Sequence, residues 1–542
     1  MKQLFLYSGC LLATLPALAQ DTTKKREVNV TASFRPTLKE ATKLTFGATP
    51  PAADTSRPVL QYRIPNQNLA FAYQPGTLKP LALQVDSAVQ WDNWNYVKAG
   101  YGTQRTPYFE TGLSIGDPNA AALNIYGRYT SSKGKIKYQE YSQGGVEANG
   151  VARAGSNHEV SGRVGYTDEK YNRYGYQPST LDLAKDSVGV HYQGFQGRVA
   201  LRNINRTAYG IAYAPELRIE TFGNKQESSE TNTYIKLPLR KAIGNRFEVE
   251  LAADGQFNSY ASPAKSSQSN IWLQVSPSIF VKTTALYLQA GIRPSWDNGS
   301  FRLMPNVIAE VSSPDKRVTL MGGWTGHLRS NSFRSLAGYN PWIEAPGGVN
   351  NSQVQEIFGG LRGALTDHLS YLARVGFNTF TNQPLFINDG PTGRAFAVRY
   401  EPTMNALNIH GELGYNVGER FSLTTRLDVN RYTSLDVNDK AWGLPALEFN
   451  TTLRLQVLRD LYVKGDLYAF DGVPYRTVDG EGKLKGAFDA SAGLEFNIVK
   501  NVKLWAQFNN VFNQSYERWK QYPVYGFNFL GGVVFSFPQT RK

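Results

Sequence analysis

The side chains that most readily do chemistry, histidine and cysteine, are sparse in this chain of 542 residues. Its five histidines are His158, His191, His327, His368 and His410, and none has another at the His-x-x-x-His spacing that would place two imidazoles on one metal ion. The single cysteine, Cys10, permits no intramolecular disulfide and no thiolate cluster. His410 and Glu412 fall on one face of an alternating segment, near Arg426 and Asp428 on the next. A histidine among carboxylates is part of what a hydrolase needs, but at this spacing it reads as an ion-paired, hydrated wall. Gly322-Gly323, Gly359-Gly360 and Gly531-Gly532 lie inside strand-like patterns with no Lys-Ser/Thr after them, so they relieve strand curvature and cradle no phosphate. Neither an enzyme nor a metal or other cofactor is expected.

The elements that position these residues follow from period two. Phe449, Thr451, Leu453, Leu455 and Val457 share one face, and Glu448, Asn450, Thr452, Arg454 and Gln456 share the other. Arg420 to Asn430 repeats the pattern, as do Arg246 to Asp254, Leu286 to Arg293, Val318 to His327, His158 to Tyr166 and, more loosely, Phe488 to Ile498. Many such segments run to about ten residues, enough to cross a bilayer at the usual tilt and longer than the strands of a soluble sandwich. A mean hydropathy of -0.39 and the lack of a long apolar run after the first twenty positions exclude a helical membrane bundle.

The connections alternate in length. Tight links at Lys500-Asn501, Arg459-Asp460, Gly418-Glu419, Thr366-Asp367, Pro314-Asp315, Thr283-Thr284 and Gly244-Asn245 take turns with longer polar stretches. The longer ones are Gln514 to Gln521, Asp471 to Lys483, Thr433 to Leu444, Asn382 to Met404 and Arg329 to Ser352. Short inner turns and long outer loops are the habit of bacterial outer-membrane barrels. The expected fold is therefore all-β, a transmembrane antiparallel β-barrel of about 22 strands with both termini on the inner side. Trp91, Trp94, Trp505 and Trp519 are candidates for interfacial girdles.

Residues 1–19 read as a signal peptide, with Lys2, an apolar stretch from Leu4 to Leu15, and Ala17-Leu18-Ala19 ahead of a cleavage between Ala19 and Gln20. Residues 20–93 form an extended, Pro-rich periplasmic or lumenal segment (Pro50, Pro51, Pro58, Pro65, Pro75, Pro80), 94–537 the barrel and 538–542 a tail. A net charge of +14 is spread along the chain, so nucleic acid is not an expected partner, whereas outer-membrane lipid and lipopolysaccharide are.

The last segment, Gly526 to Phe537, alternates aromatic and small residues through Phe535 and Phe537 and resembles the C-terminal β-signal read by the barrel assembly machinery. Before it, Asn510, Phe512, Asn513 and Tyr516 form an Asn-x-Phe-Asn-x-x-Tyr pattern. Together they resemble the final strands of TonB-dependent receptors, the transporters of Gram-negative outer membranes. The resemblance implies location in the outer membrane, solute uptake and contact with TonB or another envelope partner. Such receptors carry a folded plug. Glu27 to Pro36 looks like the opening of one, but the residues up to the first strand show no succession of strands and helices. The lumen is then obstructed by the N-terminal segment, covered by another protein, or open. The alternative function is a barrel subunit of an envelope assembly or secretion complex that carries no solute. Loops carry function on rigid scaffolds, so Trp342, Phe386, Arg394 and Arg399 are the candidate ligand contacts.

Overall fold

The computed structural model describes residues 94–117, 120–225, 228–388 and 390–538. The leader with Ala19 and Gln20, the Pro-rich segment, Trp91 and the tail beyond 538 lie outside them, as does the side chain of Trp94. Period-two alternation becomes strand almost without exception. One sheet holds 23 segments, of which Ile211–Tyr213 and Glu216–Asn224 pair with successive parts of the same neighbour, Ser229–Ile243. They are one strand interrupted at Ala214-Pro215, since proline cannot donate to the ladder, and the barrel has 22 strands. Each strand runs antiparallel to the next, and the first, Trp94–Gly102, pairs with the last, Asn528–Pro538, from Trp94↔Pro538 to Gly102↔Leu530. Closure leaves the barrel without an open sheet edge.

At this seam small residues are obligatory. A β-carbon on Gly532 would lie 2.0 Å from the Ala99 carbonyl oxygen, and one on Gly100 would lie 2.4 Å from the Trp505 ring. Gly323 and Gly360 meet neighbouring carbonyls in the same way, at 2.6 and 2.4 Å, so these two glycines admit close strand approach, whereas Gly359 has nothing within 4 Å.

All seven tight links fall at one end of the barrel, the turn end; Gly244 and Gly418 there take φ of 65° and 53°, a backbone region open to glycine at little cost. The long connections fall at the other, the loop end, and two carry short helices: α1 (Lys185–Val188) and α2 (Phe333–Tyr339). One expectation needs correction. Asn382 to Met404 is mostly strand, because Leu369–Ile387 and Ala397–Val417 stay paired as far as Ile387↔Ala397. Gln383 to Ile387 are buried in succession, so both faces are covered and the alternation that marks a half-exposed strand is lost.

The two faces of the wall differ as the sequence implied. Outward stand Leu237, Leu251, Ile279, Ile357, Val375, Leu413 and their like, all more than one-third exposed, a belt suited to lipid. Outward aromatics flank it, and neither Trp505 nor Trp519 is among them. Trp296, Phe301, Phe109 and Phe512 serve the loop end, and Phe247, Phe496 and Phe535 the turn end. Trp505 faces inward under Lys98, whose Nζ lies 4.3 Å from its ring, and Trp519 is buried among the loops. Residue type alone does not reveal which strand face an aromatic takes.

Inward, charge pairs run from strand to strand. His410 Nδ1 meets Asp428 at 2.7 Å and Nε2 meets Glu412 at 3.0 Å; Arg426 binds Asp428, Arg374 binds Glu356, and Lys464 lies 2.6 Å from Glu495. Both ring nitrogens of His410 are thus held by carboxylates in a wall network.

Candidate functional site

The loop end carries a hydrophobic core assembled from connections distant in sequence. Phe333, Leu336 and Ala337 of α2 pack with Ile343, Phe386, Phe396, Trp519 and Tyr522 and with the strand-end residues Tyr171, Tyr192 and Tyr260. The rings are in mutual contact: Trp342 stacks on Tyr522 at 4.1 Å, Tyr174 meets both edge-on, and Trp519 touches Tyr339, Phe386 and Phe396. Each such pair is worth about 0.5–1.5 kcal/mol beyond its burial.

Buried polar groups fix the loops to the wall. The Glu230 carboxylate accepts from the N–H groups of Phe333 (2.8 Å) and Arg334 (3.0 Å), and Ser332 caps α2 by accepting from Ser335 N–H. Glu401, fully buried, accepts from the N–H groups of Asp436, Val437 and Asn438 at 2.6–2.9 Å and so pins the connection 434–446. Arg518 donates to Gly443 O (3.2 Å) and Tyr339 Oη (2.9 Å), with its guanidinium 4.7 Å from the Trp519 ring centre. Burial opposes its charge, yet Tyr339, Tyr468 and Glu448 hold its pKa above the usual guanidinium value. Burial also drives the hydroxyls of Tyr174, Tyr522 and Tyr525 well above their ordinary range, so they remain neutral donors. Tyr174 Oη donates to Pro523 O and Tyr525 Oη to Gln139 O, each at 2.9 Å.

Between this core and the inner wall lies a chamber of about 410 Å3. Its wall side is formed by Thr106, Arg128, Thr130, Glu140, Gln143 and Glu169, with Asp489, Asn509 and Asn528 from strands near the seam. Its loop side is formed by Tyr174, Tyr339, Trp342, Arg518, Tyr522 and Tyr525. Two of the lining residues, Asp489 and Arg518, each keep one buried polar atom, Oδ1 and Nε, that has no hydrogen-bond partner and no exposed surface. No group of three or more potential metal ligands occurs among the described residues.

Of the loop contacts proposed from sequence, Trp342 lines the chamber. Phe386 is interior to the loop core. Arg394 lends its carbonyl to the Tyr522 hydroxyl, and Arg399 stands exposed on its strand. The Asn-x-Phe-Asn-x-x-Tyr residues shape the last connection. Asn510, with φ 46°, donates to Gln514 O (2.7 Å) and Tyr525 O (2.9 Å); Asn513 accepts from Phe527 N–H; Tyr516 Oη donates to Asp489 at 2.7 Å; and Phe512 lies outward against Phe488. A β-carbon on Gly526 would lie 2.6 Å from Asn513 Oδ1, and Phe535 stacks with Phe537 on the outward face. Sequence reasoning missed Arg518 and Asp489; the dense run Arg518-Trp519-Lys520-Gln521-Tyr522 was the available signal.

No family model matches the chain, and no curated protein matches it in sequence. Solved structures match it in three dimensions. The ferric enterobactin receptor PfeA of Pseudomonas aeruginosa aligns with a TM-score of 0.61 at 12% identity, over 82% of this chain and 80% of that one. The siderophore receptor PirA of Acinetobacter baumannii gives 0.62 at 10%, over 82% and 80%. The barrel shares its fold with these two structures. The ferripyoverdine receptor of the P. aeruginosa outer membrane aligns too, with a TM-score of 0.61 at 11% identity, over 82% of this chain and 72% of that one. The resemblance to TonB-dependent receptors carried by the C-terminal motif thus extends to the architecture of the barrel.

Proposed function

We propose that this protein is an outer-membrane barrel of the receptor type that takes part in solute uptake, with its outward mouth held shut by its own loops. The observation that carries the reading is the closed barrel of 22 strands, polar within and apolar without, whose fold matches receptors for ferric enterobactin and ferripyoverdine. In this reading the loop end faces outward and the turn end faces the periplasm. The loop core answers the question of how a wide barrel avoids leaking: it seals the mouth. Separating so many ring contacts and buried hydrogen bonds costs several kcal/mol, so passage needs a push from the periplasmic side, which TonB or another envelope protein would supply.

A second reading, a non-transporting subunit of an envelope assembly, is favoured by one feature: the loop core is packed like a domain interior. Conductance and purification separate the two. In planar bilayers the intact protein is silent, and a Trp519→Ala/Tyr522→Ala variant conducts and passes sugar-sized solutes in liposome swelling. A variant as silent as the parent rejects the loop seal. Affinity purification that recovers the barrel alone removes the assembly reading, and one that recovers stoichiometric envelope partners together with a silent double variant removes the uptake reading.

A further inference from the structure

At the turn end the two faces of the wall differ in how their charges are matched. Inward, cations meet carboxylates: Arg202 lies 2.7 Å from Glu159, Arg198 2.7 Å from Glu216, and Arg240 and Lys282 each 3.6 Å from Glu248. Outward, one sector has cations only. Lys241 alternates with Leu237, Leu239 and Ile243, which are exposed on the lipid-facing side, and it is exposed itself. Arg206 is exposed in the turn 204–210, which leads into Ile211, the residue directly opposite Lys241. Neither cation has a carboxylate partner among the described residues. Nor do that turn and the outward positions in the turn-end halves of His158–Asn172, Gly189–Asn203 and Ser229–Ile243 hold any Asp or Glu.

Hydrogen bonds fix this turn against the wall. Asn203 spans the gap to the next strand, donating to Ile211 O (2.9 Å) and accepting from Tyr213 N–H (2.8 Å). Asn157 accepts from Ile204 N–H through its carbonyl (2.7 Å) and from Asn205 N–H through its side chain (2.8 Å). The turn thereby presents Tyr209, 78% exposed, and Ile204, 41% exposed. On the outward face His158 stands opposite Asn203, and its Nε2 shares a hydrogen bond of 2.7 Å with Tyr213 Oη. Whichever atom donates, the pair keeps one more donor: the Tyr213 hydroxyl in one case, His158 Nδ1–H in the other.

These groups occupy the last outward positions before the turns, where an apolar belt gives way to lipid headgroups. Cations at that level with no carboxylate beside them take their counterions from the membrane, their stems lying along apolar surface. An exposed tyrosine suits the same boundary. We propose that Lys241, Arg206 and the His158–Tyr213 pair form a site for the phosphate of an anionic phospholipid, selected over a zwitterionic one. Its assignment to the periplasmic leaflet rests on the orientation in the uptake reading; the binding does not.

Native mass spectrometry of the purified full-length barrel in detergent, titrated with phosphatidylglycerol, phosphatidylethanolamine or lipid A, tests the site. Phosphatidylglycerol should be held most tightly, with affinity about fivefold weaker for each charge removed in Lys241→Gln and Arg206→Gln. Lys500→Gln, which removes an exposed cation from another turn at the same end, should leave that affinity unchanged. Equal retention of the two phospholipids, phosphatidylglycerol affinity unchanged in both variants, or an equal loss in Lys500→Gln overturns the proposal. A preference for lipid A that disappears in the two variants overturns it as well, and with it the orientation in the uptake reading. The other failures leave that reading to conductance and purification.

Discussion

Glu401 shows how much one buried side chain does at the loop end. Its two oxygens accept three consecutive backbone N–H groups and the Asn438 amide, so they satisfy donors that the turn at 436–438 cannot pair internally. Glu401→Ala removes that acceptor from a turn whose Asp436 and Val437 are exposed, so water replaces it and the loss is about 0.5–1.5 kcal/mol per hydrogen bond. Hydrogen exchange at Asp436, Val437 and Asn438 should accelerate sharply in this variant while exchange in the wall strands stays unchanged; uniform acceleration would mean that Glu401 supports the barrel as a whole. Nothing in the local sequence announces this role, because Glu401 lies beside Pro402 in a stretch without alternation. His410 is the opposite case: period two already places it on a polar face near Asp428 of the next strand, and the register sets the two directly opposite.

At the scale of the element, strands were legible where one face meets lipid and the other meets water, since those environments impose the alternation. Leu447–Leu458 and Phe421–Thr433 were visible for that reason. The upper parts of Leu369–Ile387 and Ala397–Val417 were not, because the loop core covers them and removes the contrast between faces. The loop core itself could not be anticipated: its contacts join residues as far apart as Arg173 and Ile343, or Tyr174 and Pro523, and no local pattern encodes them. The seam carries its own constraint. Gly532→Val drives a branched side chain into the Ala99 carbonyl, and the expected outcome is a barrel that no longer closes, seen as loss of the fast-migrating folded form in unheated gel electrophoresis. A normal folded band would show that the seam can spread to admit it.

For the whole molecule, the division between lipid-facing and lumen-facing positions is open to a paired test. Ile357 faces outward and is 57% exposed, whereas Glu356 and the buried Phe358 flank it in the same strand, with Glu356 ion-paired to Arg374 on the inner face. Ile357→Lys should cost about 2–4 kcal/mol if it lies near the bilayer midplane, measured by urea unfolding in lipid vesicles. Glu356→Gln should cost less, since its side chain remains in a hydrated wall. The reverse order of costs would mean that the faces are exchanged. The balance of the two functional readings also belongs to this scale, because it depends on whether the sealed mouth ever opens.

The long paired strands that rise to Ile387 and Ala397 bear on that question. Their ends carry buried residues of the cap, and the aromatic contacts tie them to the last connection and to α2. Loops rooted on stiff stalks and fused through one set of rings cannot peel away separately. Their release is a concerted event, so single-molecule current records of an activated barrel would show abrupt steps between two levels with no graded intermediates.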